Sequence, residues 1–544
     1  MNGTGKDMAA TSGMHSSASR GARRLSRALA AVAATAMAAG AITPLRAESF
    51  DLHLDGAAST QPDTRPDGPQ MSAGLSLAPY DRNVFAPDPG YADKPYSADD
   101  QYAIYGAKHP NPTQRPLLEI GEELYGFGPV NPPNFLLLGT KNPGNQHLWI
   151  YGDWRNGVGY NDNGVNHKEL GVFASRLNLD IDYQFTSTER IHAFMRPIDK
   201  NAQITRYVFA GQNDGFHGEL DGNLDALFFE GDLGAIYQGL ANRPAHFDLP
   251  VSAGRMPLLF QNGIWVLDAI DGFAFTIPAR NVPALDISNM DVTFFAGFNH
   301  VDTNAVLERS GKKFVNDRDH ARVFGMNSFI ETMGGYWEAG YGYTQDLTGQ
   351  GFDYHNATAA FTRRYGNFVS NSVRGIWNFG QNPDRHQRQT ADGFLLLVEN
   401  SFMTGQSQQT VVPYLNGFAG FDRPQPLLRD PAAGGVLVNT GINFETDALT
   451  GFPTLDATAA NTYGGALGCE FLFGLDRQLV LEASTVQTYG RRSDRNAPGN
   501  EYALGLRYQQ PLSNAVIFRL NAIYGFIDNA RDVAGVSAEI RWKF

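Results

Sequence analysis

The chain has 544 residues, 42% of them hydrophobic, with 59 glycines, 22 tyrosines, 36 phenylalanines and a formal net charge of −13. That charge argues against nucleic acid as a partner, since a polyanion would be repelled. Mean hydropathy is −0.31, and beyond residue 50 no apolar run approaches the roughly 20 residues of a membrane helix, which excludes helical spanning but not a transmembrane barrel, whose strands only alternate.

Residues 1–47 read as a secretory signal peptide. Arg20, Arg23, Arg24 and Arg27 are followed by an apolar run and then by small residues, with the favoured cut after Ala47 and a second after Ala41. The lone Cys469 cannot form an intramolecular disulfide, and it alternates with Leu467 and Phe471 as a small apolar residue. Residues 48–115, with QPDTRPDGPQ and HPNPTQRP, have the composition of a loosely ordered periplasmic linker. Residues 116–146 are a lead-in segment. Leu117, Leu118, Ile120, Leu124 and Tyr125 stand at roughly helical spacing and predict a short helix over 116–126.

From His147 to Phe544 the period changes to two. In RLNLDIDYQFT, Leu177, Leu179, Ile181, Tyr183 and Phe185 alternate with Arg176, Asn178, Asp180, Asp182 and Gln184. RIHAFMRPI, EYALGLRYQQ and VIFRLNAIYG repeat the pattern, as expected of strands with one apolar face. The connections alternate between short (PLSN, GLDR, TGQSQ, YGN, TMGG, STE) and long (RRSDRNAPGN, QNPDRHQRQTA, 300–319). That alternation holds only if 422–461 is one long outer loop, with VLVNTGINF inside it a loop segment and not a wall strand. This predicts an all-β transmembrane antiparallel β-barrel of about 18 strands, 16 being the alternative, with both ends in the periplasm. The stretch 199–290 is the hardest to divide into strands. The chain ends GVSAEIRWKF, with Phe544, Trp542, Ile540, Ala538 and Val536 on one face; a terminal strand this regular needs pairing on both edges, which a closed barrel provides.

The Phe544 ending, with Ile540 and Trp542 before it, resembles the C-terminal assembly signal of bacterial outer-membrane barrels. SRLNLDIDYQFTSTERIHAFMRPID and the later SAGRMPLLFQNGIWVLDAIDGFAFTI resemble porins and especially alginate-export-like barrels. The resemblance implies passive or export transport through an 18-stranded lumen in a Gram-negative-type outer membrane, with membrane lipid and the barrel-assembly machinery as partners. Alginate exporters have a strongly basic lumen, from which this sequence departs.

Assigning polar faces to the lumen makes Arg176, Asp180, Asp182, Arg190, His192, Arg196, Glu338, Arg374, Glu399, Arg507 and Arg519 the candidate pore-lining residues, with Arg322, Arg541, Glu470, Glu482 and Glu539 on the same assignment. Rings of one sign select ions; a mixed wall instead suits zwitterions, sugars and other small polar solutes. Trp149, Tyr151, Trp154, Trp337, Tyr341, Tyr343, Trp377 and Trp542 fit interfacial girdles. Glu219, Asp221, Asp225, Glu230 and Asp232 are closely spaced but lack EF-hand spacing. No metal site, cofactor or enzymatic motif is expected: G-x-S-x-G, H-E-x-x-H and the phosphate loop do not occur, and neither His192 nor His355 has a serine on a matching strand face. The sequence therefore points to a porin passing small polar solutes, with polymer export or a structural barrel with a blocked lumen as alternatives. Since VLVNTGINF is too apolar for open water, it is expected to cap neighbouring loops, to pair as an extra strand over 436–444, or to fold with loop 422–461 into the barrel. Asn439, Thr440 and Asn443 are then the constriction candidates, facing Arg374 and Glu399.

Overall fold

The computed structural model describes residues 116–121, 136–144, 146–164, 171–200, 203–306, 320–366, 368–384, 387–403, 409–430, 433–447, 449–474 and 476–544. The expected signal peptide and the 48–115 linker lie outside the described residues. No helix among them is long and apolar enough to cross a membrane.

The chain closes a single antiparallel barrel of 18 strands. In order the wall strands are β1 (His147–Asp162), β2 (Gly171–Gln184), β3 (Arg190–Met195, resumed at Gln203–Ala210), β4 (Gly215–His217, resumed at Ala226–Asp232), β5 (Pro250–Phe260) and β6 (Val266–Ile277). They continue as β7 (Asn289–Asn299), β8 (Ala321–Thr332), β9 (Gly335–Asp346), β10 (Tyr354–Tyr365), β11 (Val369–Phe379) and β12 (Phe394–Phe402). The last six are β13 (Gln409–Phe421), β14 (Thr462–Phe473), β15 (Arg477–Thr488), β16 (Glu501–Pro511), β17 (Val516–Ile527) and β18 (Val533–Lys543). Each pairs with its neighbour, and β18 returns to β1, with Val158 opposite Ala538 and Trp154 opposite Trp542. Phe544 completes the seam: its N–H donates to the Gly152 carbonyl at 3.1 Å, and its own carbonyl accepts from the Gly152 N–H at 2.9 Å.

Both barrel ends share a rim with the tight turns. At Met333-Gly334 both residues have positive φ, 56° and 66°, the hairpin geometry whose twist matches the flanking strands. The connections that leave β7, β11, β13 and β15 do so at the other rim, as their parity requires. VLVNTGINF is turn structure and no wall strand.

One local expectation changes, and two irregularities are added. Leu118–Ile120 is not helical but a short strand pairing with Leu148–Ile150 of β1, because two apolar residues around Glu119 match the pleat as well as a helical stripe. The acidic stretch around Asp221 interrupts β4, as Pro197, which has no N–H to donate, interrupts β3. Its last acid, Asp232, caps a helix that the sequence did not signal, α1 (Leu233–Ala241), accepting from the Ala235 N–H at 2.8 Å.

The outer surface is an apolar belt: Leu415, Leu467 and Leu504 are at least half exposed, as lipid-facing positions should be. Aromatic residues gather at both borders. Trp154 with Trp542 and Trp337 with Phe361 lie near the turn rim, and Trp377 with Phe379 and Phe421 with Tyr489 near the loop rim. Arg322 shares the outward face of β8 with exposed Phe324 and Met326 and is therefore not a lumen residue, since one face of this strand carries all three.

Removing Trp542–Phe544 should cut the yield of heat-modifiable barrel several-fold after refolding in detergent, because Gly152 loses both bonds and the seam its last apolar anchors. Lys543→Ala should refold normally. Equal yields from truncated and full chains would show that the seam closes without these residues.

Candidate functional site: the lumen and its infolded loop

The lumen face of each strand is the one opposite the exposed apolar residues. By that criterion Arg176, Asp180 and Asp182 on β2 point inward, as do Arg190 and His192 on β3, with Arg196 following it. Glu338 on β9, Arg374 on β11, Glu399 on β12, Arg507 on β16 and Arg519 on β17 do the same. The structure does not bring these residues into one ring. Apart from Glu399 and Arg519, they form separate groups of opposite charge. Arg176 donates to Asp199 at 2.6 Å, Arg196 grips Asp225 with two bonds at 2.9 and 3.0 Å, and Arg190 pairs with Glu230. The His192 ring lies between Asp182 at 2.7 Å and Asp180 at 3.3 Å, and Asp182 also accepts from the Tyr151 hydroxyl at 2.7 Å. Arg374, 2% exposed, sits 3.5 Å from Glu338 and donates to Gln261 at the tip of the β5–β6 connection. Glu399 shares this inner face without a bond to Arg374 among the described residues.

Loop 422–461 crosses the barrel interior. Leu427 and Leu428 pack with Trp265, Val266 and Met256 on the β5–β6 side. Val436, Leu437, Phe444 and Leu455 join inward residues of β11–β17, including Ile376, Leu395, Leu397 and Val486. Leu449 buries against Val172, Ala174 and Val208 on β2 and β3. A wall with apolar residues on both faces cannot be left wet inside; burying each large side chain is worth roughly 1.5–3 kcal/mol. The loop is thus part of the barrel's core.

Polar contacts set its register. Asn439 donates to the Asn262 carbonyl at 2.9 Å, the Thr440 carbonyl accepts from Asn416 at 2.8 Å, and Asn443 donates to Ser484 at 3.0 Å. On the far side, the Thr450 carbonyl accepts from Asn161 at 2.9 Å. The expected contacts to Arg374 and Glu399 do not form. Arg374 is already engaged by Gln261 and Glu338, and the turn at 441–444 turns its N–H groups toward Glu482 instead. The backbone N–H groups of Ile442 and Asn443 reach that carboxylate at 2.8 and 2.9 Å. Gly505 leaves room for Asn443, whose Oδ1 a Cβ there would meet at 2.1 Å.

Beneath the loop lies a polar cavity of about 280 Å³, lined by Arg155, Arg176, Arg507, Arg519 and Arg541 opposite Glu445, Asp447 and Glu539. Glu539 takes Arg155 in two bonds at 2.7 and 2.8 Å, Asp153 takes Arg541, and Glu445, on the loop, reaches Arg507 at 2.5 Å. Arg519 is held by Gln509 at 2.8 and 3.0 Å and by no carboxylate among the described residues. A second cavity, of about 610 Å³, opens beside α1 between Thr188, Asp232, Asp248 and Ser252, and contains none of the predicted lining residues.

Glu445, Gln261 and Asp199 escaped the sequence-based selection of site residues, and Glu482 was placed on the lumen face but not as a partner of the loop. Two signals pointed their way: GFLLLVENSF is apolar on both faces over 394–398, which demands a cover on the lumen side, and Glu482 is a lone acid on an inner stripe otherwise holding Val480, Ser484 and Val486.

No family model matches the chain, and no curated protein matches it. Solved structures similar to it include Pseudomonas aeruginosa OccK11 (OpdR), 11% identical over 73% of this chain and 96% of that one, with a TM-score of 0.47. Another is the outer-membrane protein OpdK of Pseudomonas aeruginosa, 12% identical over 73% and 98%, at 0.45. A third is Wzi of Escherichia coli, a carbohydrate-binding barrel involved in capsule assembly, 13% identical over 72% and 84%, at 0.42.

The loop also carries a titrating group. Asp456 is partly buried, and desolvation pushes its carboxyl up to about 6 against the opposing pull of Thr458. A carboxyl raised in the folded state stabilises most below the unfolded value, and that stabilisation is lost as pH rises through about 6. Amide exchange at Leu437 and Leu455, corrected for the intrinsic rate, should therefore quicken between about pH 4 and 6 and level off above that. Asp456→Asn should flatten the profile.

Proposed function

We propose that this protein is an outer-membrane channel for small polar solutes, with the infolded loop 433–461 bounding its narrowest stretch. The observation that carries the reading is the polar cavity beneath the loop, where loop residues Glu445 and Asp447 face an arginine-rich wall. Interiors of membrane barrels are polar where they conduct, and lining chemistry sets what passes. Most cations here are matched by a carboxylate, which suits zwitterions, sugars and other polar molecules better than ions of one sign. The apolar outer belt supports lipid as the surrounding medium. The common rim of the tight turns and the C-terminus supports a periplasmic orientation for that end, with the terminal Phe544 as the feature read by the assembly machinery.

A second reading has one observation in its favour. The loop is seated by apolar contacts on three sectors of the wall, which fits a structural barrel whose lumen stays shut. Current in planar bilayers separates the two, because a shut barrel carries none.

Replacing 433–459 by a short Gly/Ser linker should raise single-channel conductance several-fold. It should also lower the temperature at which the barrel unfolds, since Ile376, Leu395 and Val486 lose their cover. Unchanged conductance in an assembled variant would remove the loop from the conduction path. The reversal potential in a salt gradient should lie near zero with a small anionic bias, and Arg519→Gln should abolish that bias because Arg519 is the lining cation without a carboxylate partner.

A further inference from the structure

The inner wall of β15 carries a carboxylate whose hydrogen-bonding capacity is used up by the loop and its surroundings. Glu482 is 4% exposed. Its Oε2 accepts from the Tyr414 hydroxyl at 2.5 Å and the Ile442 N–H at 2.8 Å; its Oε1 accepts from the Asn443 N–H at 2.9 Å and the Ser484 hydroxyl at 2.6 Å. A carboxylate offers about four lone-pair sites, and four donors occupy them. No cation pairs with it among the described residues, so this buried charge is held by oriented dipoles alone. Two of those dipoles are successive backbone N–H groups of one turn, an arrangement that favours an anion. Gly441 lets the turn come this close: a Cβ there would meet Oε2 at 2.3 Å.

We propose that Glu482 is a positioning residue, the wall carboxylate that docks the backbone of turn 441–444 in the lumen, beside the neighbouring Glu445–Arg507 ion pair, and so sets where the constriction stands. The apolar contacts of Leu437 and Phe444 press the loop toward the wall but tolerate sliding, because dispersion and burial have little direction. Two charge-assisted bonds to adjacent amides do not tolerate it; they require one register. Removing the carboxylate leaves the Ile442 and Asn443 N–H groups without their partner in a water-poor interior, which is costly. The turn then lowers its free energy by leaving the wall. The consequence for conduction rests on the channel reading above, whereas the docking itself does not.

The test uses the full chain refolded in detergent, with two separate measurements. The first is hydrogen exchange over the 437–444 peptide. In Glu482→Ala it should quicken at least about tenfold, the size expected for the loss of bonds to a charged acceptor. Glu482→Gln, which keeps one acceptor oxygen, should fall between the two, and Tyr414→Phe, which removes a donor from the wall side only, should stay near the parent chain. Gly441→Ala should reproduce the release from the loop side with the wall unchanged, and it serves if Glu482→Ala does not fold. The second measurement is single-channel current, where released loops should give a larger and noisier signal. Faster exchange with unaltered current would uphold the anchor and count against conduction past this loop. Unaltered exchange over 437–444 in folded Glu482→Ala or Gly441→Ala would overturn the proposal.

Discussion

A sheet surrounded by hydrocarbon has no water to satisfy an open edge, so every backbone donor and acceptor of its wall must find a partner within the chain. The rest of this structure follows from that requirement. It forces β18 back onto β1, it brings Phe544 into reciprocal hydrogen bonding with Gly152, and it makes the strand number even, with both ends on one rim. It also explains where irregularity is tolerated. The interruptions of β3 and β4 stay paired because Asp199–Lys200 folds back on Gln203–Ile204, and Arg196 and Thr205 tie down the acidic stretch through Asp225 and Glu219.

Closure creates a second problem, an interior. A wide barrel with only polar inward residues would hold water; this one places Ile376, Leu395, Leu397, Phe418 and Val486 inside. Those residues make sense only together with the loop that covers them. The wall and the 422–461 segment are one folding unit, and what stays open is the charged cavity between the loop's lower side and strands β1, β2, β16, β17 and β18. The charges there are mostly spent on one another. Pairing of this kind stiffens the wall and lowers its attraction for ions of either sign.

The lumen shows how far single residues could be read in advance. Period-two alternation placed Arg176, Asp182, Arg374 and Arg507 on the inner face because a strand has only two faces and the apolar one was known. The same rule failed for Arg322, where the outward face near the loop rim is polar enough to carry a guanidinium. The helical stripe expected over 116–126 failed at Leu118–Ile120 for a related reason: three residues satisfy both periods, and the free edge of β1 beyond the β18 pairing decided between them.

The strand period, the alternation of short and long connections and the apolar terminal face determined the barrel and a strand number of about 18 from the chain alone, because each is a local pattern repeated many times; the inward fold of 422–461 was only one of the resting places its apolar segment allowed. Partner choice inside the lumen was decided only by tertiary structure. Asn443 meets Ser484 and the 441–444 turn meets Glu482, across about forty residues of sequence, while Arg374 turns to Gln261. Such contacts depend on where a long loop comes to rest, and that is settled by the fit of Leu437, Phe444 and Leu449 into separate sectors of the wall, a global constraint to which no local spacing is sensitive.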